Sequence, residues 1–388
     1  MPTSNEDLEV RDHGLPFASR AGRLESIQLL RAVAAVGVVF THAITRVGAT
    51  LPRENYHSLF ADANGQLTVG DAGVDLFFVI SGFIMLYVHR DDFGRPGAPL
   101  NFAKRRLLRI VPIYWFLTTI GVAFVIFAPQ LFTTHYTGID LPWIAGSYLF
   151  LPVAPPGGSA TPVVGVGWTL NFEMFFYVVF AGALLLPRRQ GLQLICLCFG
   201  SLVAVGSLLK SSSALFGFLT NWLLLDFLMG LAIAWWVLTK GKLSRAARYI
   251  LLSSGVACLA ATIVWTPPEV GPLRFLLWGI PAALIVFASC SASAPEGRLG
   301  KFMSVLGDAS YSIYLFQFFA LPAWARAMQA VQAEAVPFDA NVLILTILVT
   351  ASGVGCWFLL ERPLGSITRN FLGLGIARFR HPGPATDG

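Results

Sequence analysis

Charge is scarce in this chain: Asp, Glu, Lys and Arg together make up 12% of its 388 residues, about half the roughly 25% of a soluble globular domain. Against 55% hydrophobic residues, that scarcity excludes a soluble fold. Cysteine is scarce too. Cys196, Cys198, Cys258, Cys290 and Cys356 all fall inside apolar runs, which excludes a disulfide framework and offers no zinc-ligand spacing, so no metal is expected. A secretory signal is also missing, because Met1 to Arg23 mixes acids, bases and prolines without an apolar stretch before a small-residue cleavage site. The first apolar helix is therefore expected to direct insertion. Basic residues exceed acidic ones by 27 to 21, but in so apolar a chain membrane topology distributes such an excess, and nucleic-acid binding is not expected.

What the sequence does have is a series of apolar runs. A membrane-spanning helix needs about 20 mostly apolar residues, and such runs lie near 27–46, 72–90, 108–129, 168–187, 192–209, 215–238, 248–266, 272–290, 304–325 and 341–360. The expected fold class is all-α: a polytopic integral membrane helical bundle of about ten transmembrane helices. Placing the N-terminus in the cytoplasm puts 21 of the 27 lysines and arginines on cytoplasmic segments, so both termini are expected to be cytoplasmic. Residues 1–24 then read as a cytoplasmic segment, 25–364 as one membrane domain and 365–388 as a cytoplasmic tail. No inverted repeat is seen. The longest loop on the opposite side, near 130–167, is rich in Pro and Gly and is expected to be ordered only by packing on the bundle or on a substrate.

Ionisable groups inside a span cost about 2.5–3.5 kcal/mol on insertion scales and mark functional sites. Arg31 and His42 are eleven residues apart, which returns them to within roughly 20° of one helix face and places them about 16 Å apart along it. Both are expected to line one cavity, with His42 as general base and Arg31 holding an anionic donor or a partner carboxylate. The bland alternative is a snorkelling arginine and an interfacial histidine. Asp75, in Gly73-Val74-Asp75-Leu76-Phe77-Phe78-Val79-Ile80-Ser81-Gly82-Phe83, is a buried acid that packing explains poorly unless it caps the helix. Arg105 and Arg109 should project together at the membrane surface beside Arg106, where guanidinium groups suit phosphates and where a topology signal or anionic-lipid contact is the plain alternative. Thr169, Glu173 and Tyr177 share a face, and a carboxylate among aromatics there points to acid–base work or an arginine partner. Ser310, Tyr314 and Gln317 form a stripe that reads equally well as hydrogen-bonded helix glue.

Taken in order, these segments resemble the membrane acyltransferase-3 family, the multispanning acetyltransferases of bacterial polysaccharides, lipopolysaccharide O-antigen, Nod factors and some antibiotics, and its exopolysaccharide-production members above all. The likeness rests on the Arg31/His42 spacing, Gly73 to Phe83, the Arg105/Arg106/Arg109 stretch ending in Pro112-Ile113-Tyr114-Trp115, Trp168-Thr169-Leu170-Asn171-Phe172-Glu173, Ser310-Tyr311-Ser312-Ile313-Tyr314-Leu315 and Glu361-Arg362-Pro363. It implies transfer of an acyl group, acetyl from acetyl-CoA, onto a hydroxyl of a cell-surface or exported glycan or glycolipid at the bacterial inner membrane, with the polysaccharide biosynthesis machinery as a further partner. On this reading His42, Arg31, Glu173 and Asp75 are catalytic, and Arg105, Arg106 and Arg109 hold the donor. One departure stands out: the family usually has a histidine after Ser-Tyr-Ser-Ile-Tyr-Leu-Phe, where this chain has Gln317. A role needing a titratable group at that position is not expected here. The rival reading is a flippase for a glycan or lipid intermediate that performs no acyl transfer, and a third is an inactive scaffold.

Overall fold

Inside hydrocarbon every backbone N–H and C=O must be bonded within the chain, and a helix satisfies its own. The apolar runs of this sequence accordingly form helices. The computed structural model describes residues 17–49, 69–128, 139–155, 157–209, 211–264, 273–292, 297–331 and 336–371, and no strand occurs among them. The helices are α1 (Phe17–Gly48), α2 (Ala72–His89), α3 (Ala98–Phe127), α4 (Leu141–Tyr148), α5 (Trp168–Ala183), α6 (Arg188–Leu208), α7 (Ala214–Leu219), α8 (Leu224–Lys240), α9 (Arg245–Val264), α10 (Ile280–Ser289), α11 (Gly297–Asp308), α12 (Ser310–Ala330), α13 (Phe338–Cys356) and α14 (Arg362–Phe371). A π turn over Phe275–Gly279 leads into α10, and another over Trp357–Glu361 joins α13 to α14.

Eight helical stretches among the described residues are long and apolar enough to cross a membrane. The chain is thus a polytopic helical membrane protein, and the two other expected spans differ in kind. One is the shorter apolar helix Phe275–Ser289. The other, near 304–325, is split at Ala309 between α11 and α12, and the polar residues of α12 lower its hydropathy. The span expected from residue 108 begins earlier, at Ala98, after Gly97 in a left-handed conformation (φ 75°) and with a proline in the first turn; proline suits a position whose N–H has no helical partner. Arg105, Arg106 and Arg109 therefore sit on α3 itself rather than ahead of it.

Burial ranks the helices. In α2, 83% of the apolar window is buried, against 22% in α6 and 11% in α9, so α2 is the central post and α6 and α9 lie on the rim. The post is clamped to α8 by two glycines: a Cβ on Gly82 would stand 2.1 Å from the carbonyl oxygen of Phe227, and one on Gly230 would stand 2.1 Å from that of Val79. Small residues let two backbones approach this closely. On its other sides α2 meets α1 and α10, while α1 also packs on α11, α12 and α13. The described part of the long loop is held as expected, by packing on the bundle. Tyr114 donates to the carbonyl of Ser147 (3.0 Å), Trp143 to that of Thr161 (2.8 Å), and Trp143 packs with Val125 and Val163.

Candidate active site

Five helices enclose a buried cavity of about 90 Å³. At the 10–15 Å³ that one water requires, it admits roughly six to nine water-sized centres. Arg31 enters from α1, Ser81 from α2, Arg106 and Arg109 from α3, Thr169, Glu173 and Tyr177 from α5, and Ser310, Tyr311 and Tyr314 from α12. The shared face expected for Thr169, Glu173 and Tyr177 thus becomes one wall. Apolar side chains of α2, from Val74 to Met85, form another. Eleven residues of helix rise about 16 Å, so the cavity runs lengthwise along the bundle.

Glu173 anchors its middle. One carboxylate oxygen accepts from Ser81 Oγ (3.1 Å) and also from the Tyr177 hydroxyl. Three guanidinium groups share the space with this single carboxylate, an excess of positive charge suited to an anion or to charge developing on a carbonyl oxygen. Arg31 Nη1 donates to Gln28 Oε1 (3.2 Å). Arg106 Nη2 donates to His89 Nε2 (3.2 Å), and the other ring nitrogen of His89 donates to Asp92 (2.7 Å). His89 fixes Arg106 in place, a role that no sequence pattern announced.

Beside the cavity lies a larger space, a vestibule of about 990 Å³ lined by Arg105, Arg109, Arg362 and Arg369 among others. Arg109 borders both spaces. The expected basic trio therefore divides: Arg105 faces the vestibule, Arg106 the cavity and Arg109 both.

One expectation needs correction. Arg31 lines the cavity but His42 does not. The intervening turns of α1 carry His42 past the closed end, where its Nδ1 lies 2.9 Å from Gln317 Oε1. Gln317 Nε2 donates to the carbonyl of Tyr314 (2.9 Å), and Tyr314 closes the cavity, its hydroxyl bonded to Thr169 (3.0 Å) and to the carbonyl of Val166 (2.9 Å). His42 thus stands one residue beyond the cavity wall. Asp71, just before α2, faces it; burial raises the Asp71 carboxyl above the ordinary carboxylate range, opposed by the charges of Arg274 and His42.

Asp75 lies elsewhere in the bundle. It is fully buried yet absent from the cavity wall, because its carboxylate is committed to Arg274 at 2.7 Å. Arg274 also donates to the carbonyl of Asp71 (3.1 Å) and lies over the ring of Trp278, and Asp226 of α8 sits beside the pair. This is an internal ion pair tying α2 to the segment before α10.

Comparison with known proteins places this geometry. The chain matches the family model described as an acyltransferase domain over residues 24–362. The chain belongs to the acyltransferase-3 family. This acyltransferase is 36% identical over 304 residues to the exopolysaccharide production protein ExoZ of Rhizobium meliloti, covering 77% of the present chain and 90% of that one. It is 28% identical over 290 residues to the putative membrane-bound transacylase BcsY of Komagataeibacter xylinus, covering 65% and 66%. Over 303 residues it is 24% identical to the putative peptidoglycan O-acetyltransferase YrhL of Bacillus subtilis, covering 70% of this chain and 47% of that one. No solved structure matches it. Membership makes the protein an enzyme and an acyl donor its substrate, which sets aside the flippase and the scaffold. Among the described residues no cluster of three or more His, Cys, Asp or Glu side chains could hold a metal.

Proposed function

We propose that this acyltransferase moves a short acyl group, acetyl from acetyl-CoA, onto a hydroxyl of an exported glycan or glycolipid at the bacterial inner membrane. The observation that carries the reading is that Arg109 borders both the arginine-lined vestibule and the cavity, whose Tyr314 is linked through Gln317 to His42. The donor enters at the basic end, which the distribution of lysine and arginine assigns to the cytoplasm, and its slim arm follows the cavity while its phosphates stay outside. The names of the relatives, with exopolysaccharide production and O-acetylation among them, support a glycan acceptor.

In this reaction the thioester C–S bond breaks and an ester C–O bond forms. His42 takes the acceptor hydroxyl's proton, and the departing thiolate is protonated to free CoA, so protons balance. Gln317 Oε1 can only accept, so the neutral His42 ring carries its proton on Nδ1 and presents the lone pair of Nε2 as the base. Arg31 and Arg106 favour charge developing on the thioester carbonyl, and Glu173 holds Ser81 and Tyr177 in place around the arm. Asp75 acts on none of these groups directly.

The test is purified enzyme in lipid nanodiscs with acetyl-CoA and exopolysaccharide fragments from a strain lacking the gene. Free CoA and an acetyl mass increment on the fragments are expected to appear together with wild type and to be lost with His42→Ala. Full transfer by His42→Ala would overturn the assignment of the base, and CoA release without glycan modification would overturn the acceptor.

A further inference from the structure

Sequence alone assigns the segment after the last span to a tail, yet α14 has a built face. Arg362, Ser366 and Arg369 recur at i, i+4 and i+7 and fall on one side of the helix, and all of them line the vestibule. The other side carries Leu364, which packs on the core, and Ile367 and Phe371, which are 63% and 88% exposed. Such an amphipathic helix lies along a membrane surface with its polar stripe turned inward. The π turn over Trp357–Glu361 advances the helix register by one residue just ahead of this stripe, and α14 packs along α3.

The vestibule therefore has two walls, one from α3 with Arg105 and Arg109 and one from α14 with Arg362 and Arg369. Its acids are occupied: Asp308 accepts from Gln28 (2.6 Å) and Glu361 from Ser312. Arg362 stacks 5.0 Å above the ring of Trp357, itself part of the vestibule wall. A planar aromatic surface next to convergent guanidinium forks is the chemistry that receives a purine bearing phosphates.

We infer that α14 and α3 together bind the nucleotide end of the acyl-CoA, with Arg362 and Arg369 joining Arg105 and Arg109 on its phosphates and Trp357 offering a ring face to the adenine. The inference rests on the donor reading given above. A vestibule of about 990 Å³ is at the upper end of the roughly 300–1,000 Å³ typical of ligand pockets, and Arg109, which borders both spaces, leads the rest of the donor into the cavity. Phosphate could also be supplied by anionic lipid headgroups, since an interfacial helix meets both.

The experiment measures binding of desulfo-CoA, dephospho-CoA and 4′-phosphopantetheine to the enzyme in zwitterionic nanodiscs, alongside steady-state kinetics with acetyl-CoA. Wild type should bind desulfo-CoA at least tenfold more tightly than phosphopantetheine. Arg362→Gln/Arg369→Gln should lose that preference and raise the KM for acetyl-CoA tenfold or more, with a smaller effect on kcat, and Arg362→Lys/Arg369→Lys should restore part of the affinity through charge alone. Desulfo-CoA binding by wild type but equally tight binding by the glutamine variant would overturn the part given to α14. No binding of any analogue by wild type would instead overturn the donor reading. Equal KM values for wild type and the glutamine variant in zwitterionic discs, diverging only when anionic lipid is added, would assign the arginines to headgroups and refute the proposal.

Discussion

His42 and Gln317 are joined across α1 and α12 by a hydrogen bond of 2.9 Å between Nδ1 and Oε1. The amide nitrogen of Gln317 is spent on the Tyr314 carbonyl, so its oxygen must be the partner of His42 and the histidine must donate. A residue that does not titrate thereby fixes the tautomer of one that does. Removing the amide with Gln317→Ala is expected to lower kcat about fivefold, the worth of one hydrogen bond of roughly 1 kcal/mol, with KM for the donor unchanged. Loss of the base itself in His42→Ala should cost about 10²–10⁴-fold. Initial-rate measurements on the purified variants check both, and equal losses would mean that Gln317 does more than orient the ring.

Arg274 and Asp75 form a contact of 2.7 Å in which the carboxylate is wholly shielded from solvent. Arg274→Met strands that charge and should destabilise the protein by about 3–5 kcal/mol. Arg274→Met with Asp75→Asn removes the charge along with its partner and should recover much of the loss. Thermal unfolding in detergent reads both, and if Asp75 serves only in this pair, surviving single-variant protein keeps its KM for acetyl-CoA.

The α2–α8 clamp gives a steric prediction. Gly82→Ala drives a methyl toward the Phe227 carbonyl at 2.1 Å, and such overpacking costs about 1–3 kcal/mol. Because Ser81 is the next residue, the shift in α2 should also part it from Glu173 and reduce turnover. Gly37→Ala, whose added Cβ would meet nothing within 4 Å, is the control and should leave both melting temperature and rate near wild type.

Phe77 meets Tyr314 edge-on at 5.9 Å, and both line the cavity. If the acyl group ends there, acetyl-CoA should be preferred over octanoyl-CoA by tenfold or more. Phe77→Ala should shift the preference toward the longer chain, as competition between the two donors would reveal. An unaltered ratio would place the acyl group elsewhere.

The spans and the α5 wall were legible in the sequence because a hydrophobic length and a four-residue spacing are local properties. Thr169, Glu173 and Tyr177 share a face in any helix. The fates of Arg31 and His42 were not legible, since helical phase says that two side chains point the same way but not where a cavity between helices ends. The partner of Asp75 was hidden for a related reason: Arg274 lies 199 residues away along the chain.

By itself the sequence determined that the chain crosses the membrane as helices, because apolar residues in runs of spanning length have no other way to satisfy their backbone. It determined the family too, through motifs that hold their order along the chain. Only the tertiary structure decided which polar groups meet: Glu173 with Ser81, His42 with Gln317 and Asp75 with Arg274. Each pair is drawn from separate helices, and such partnerships are set by how helices pack, which depends on close glycine contacts and on the burial of charge far more than on any spacing within one segment.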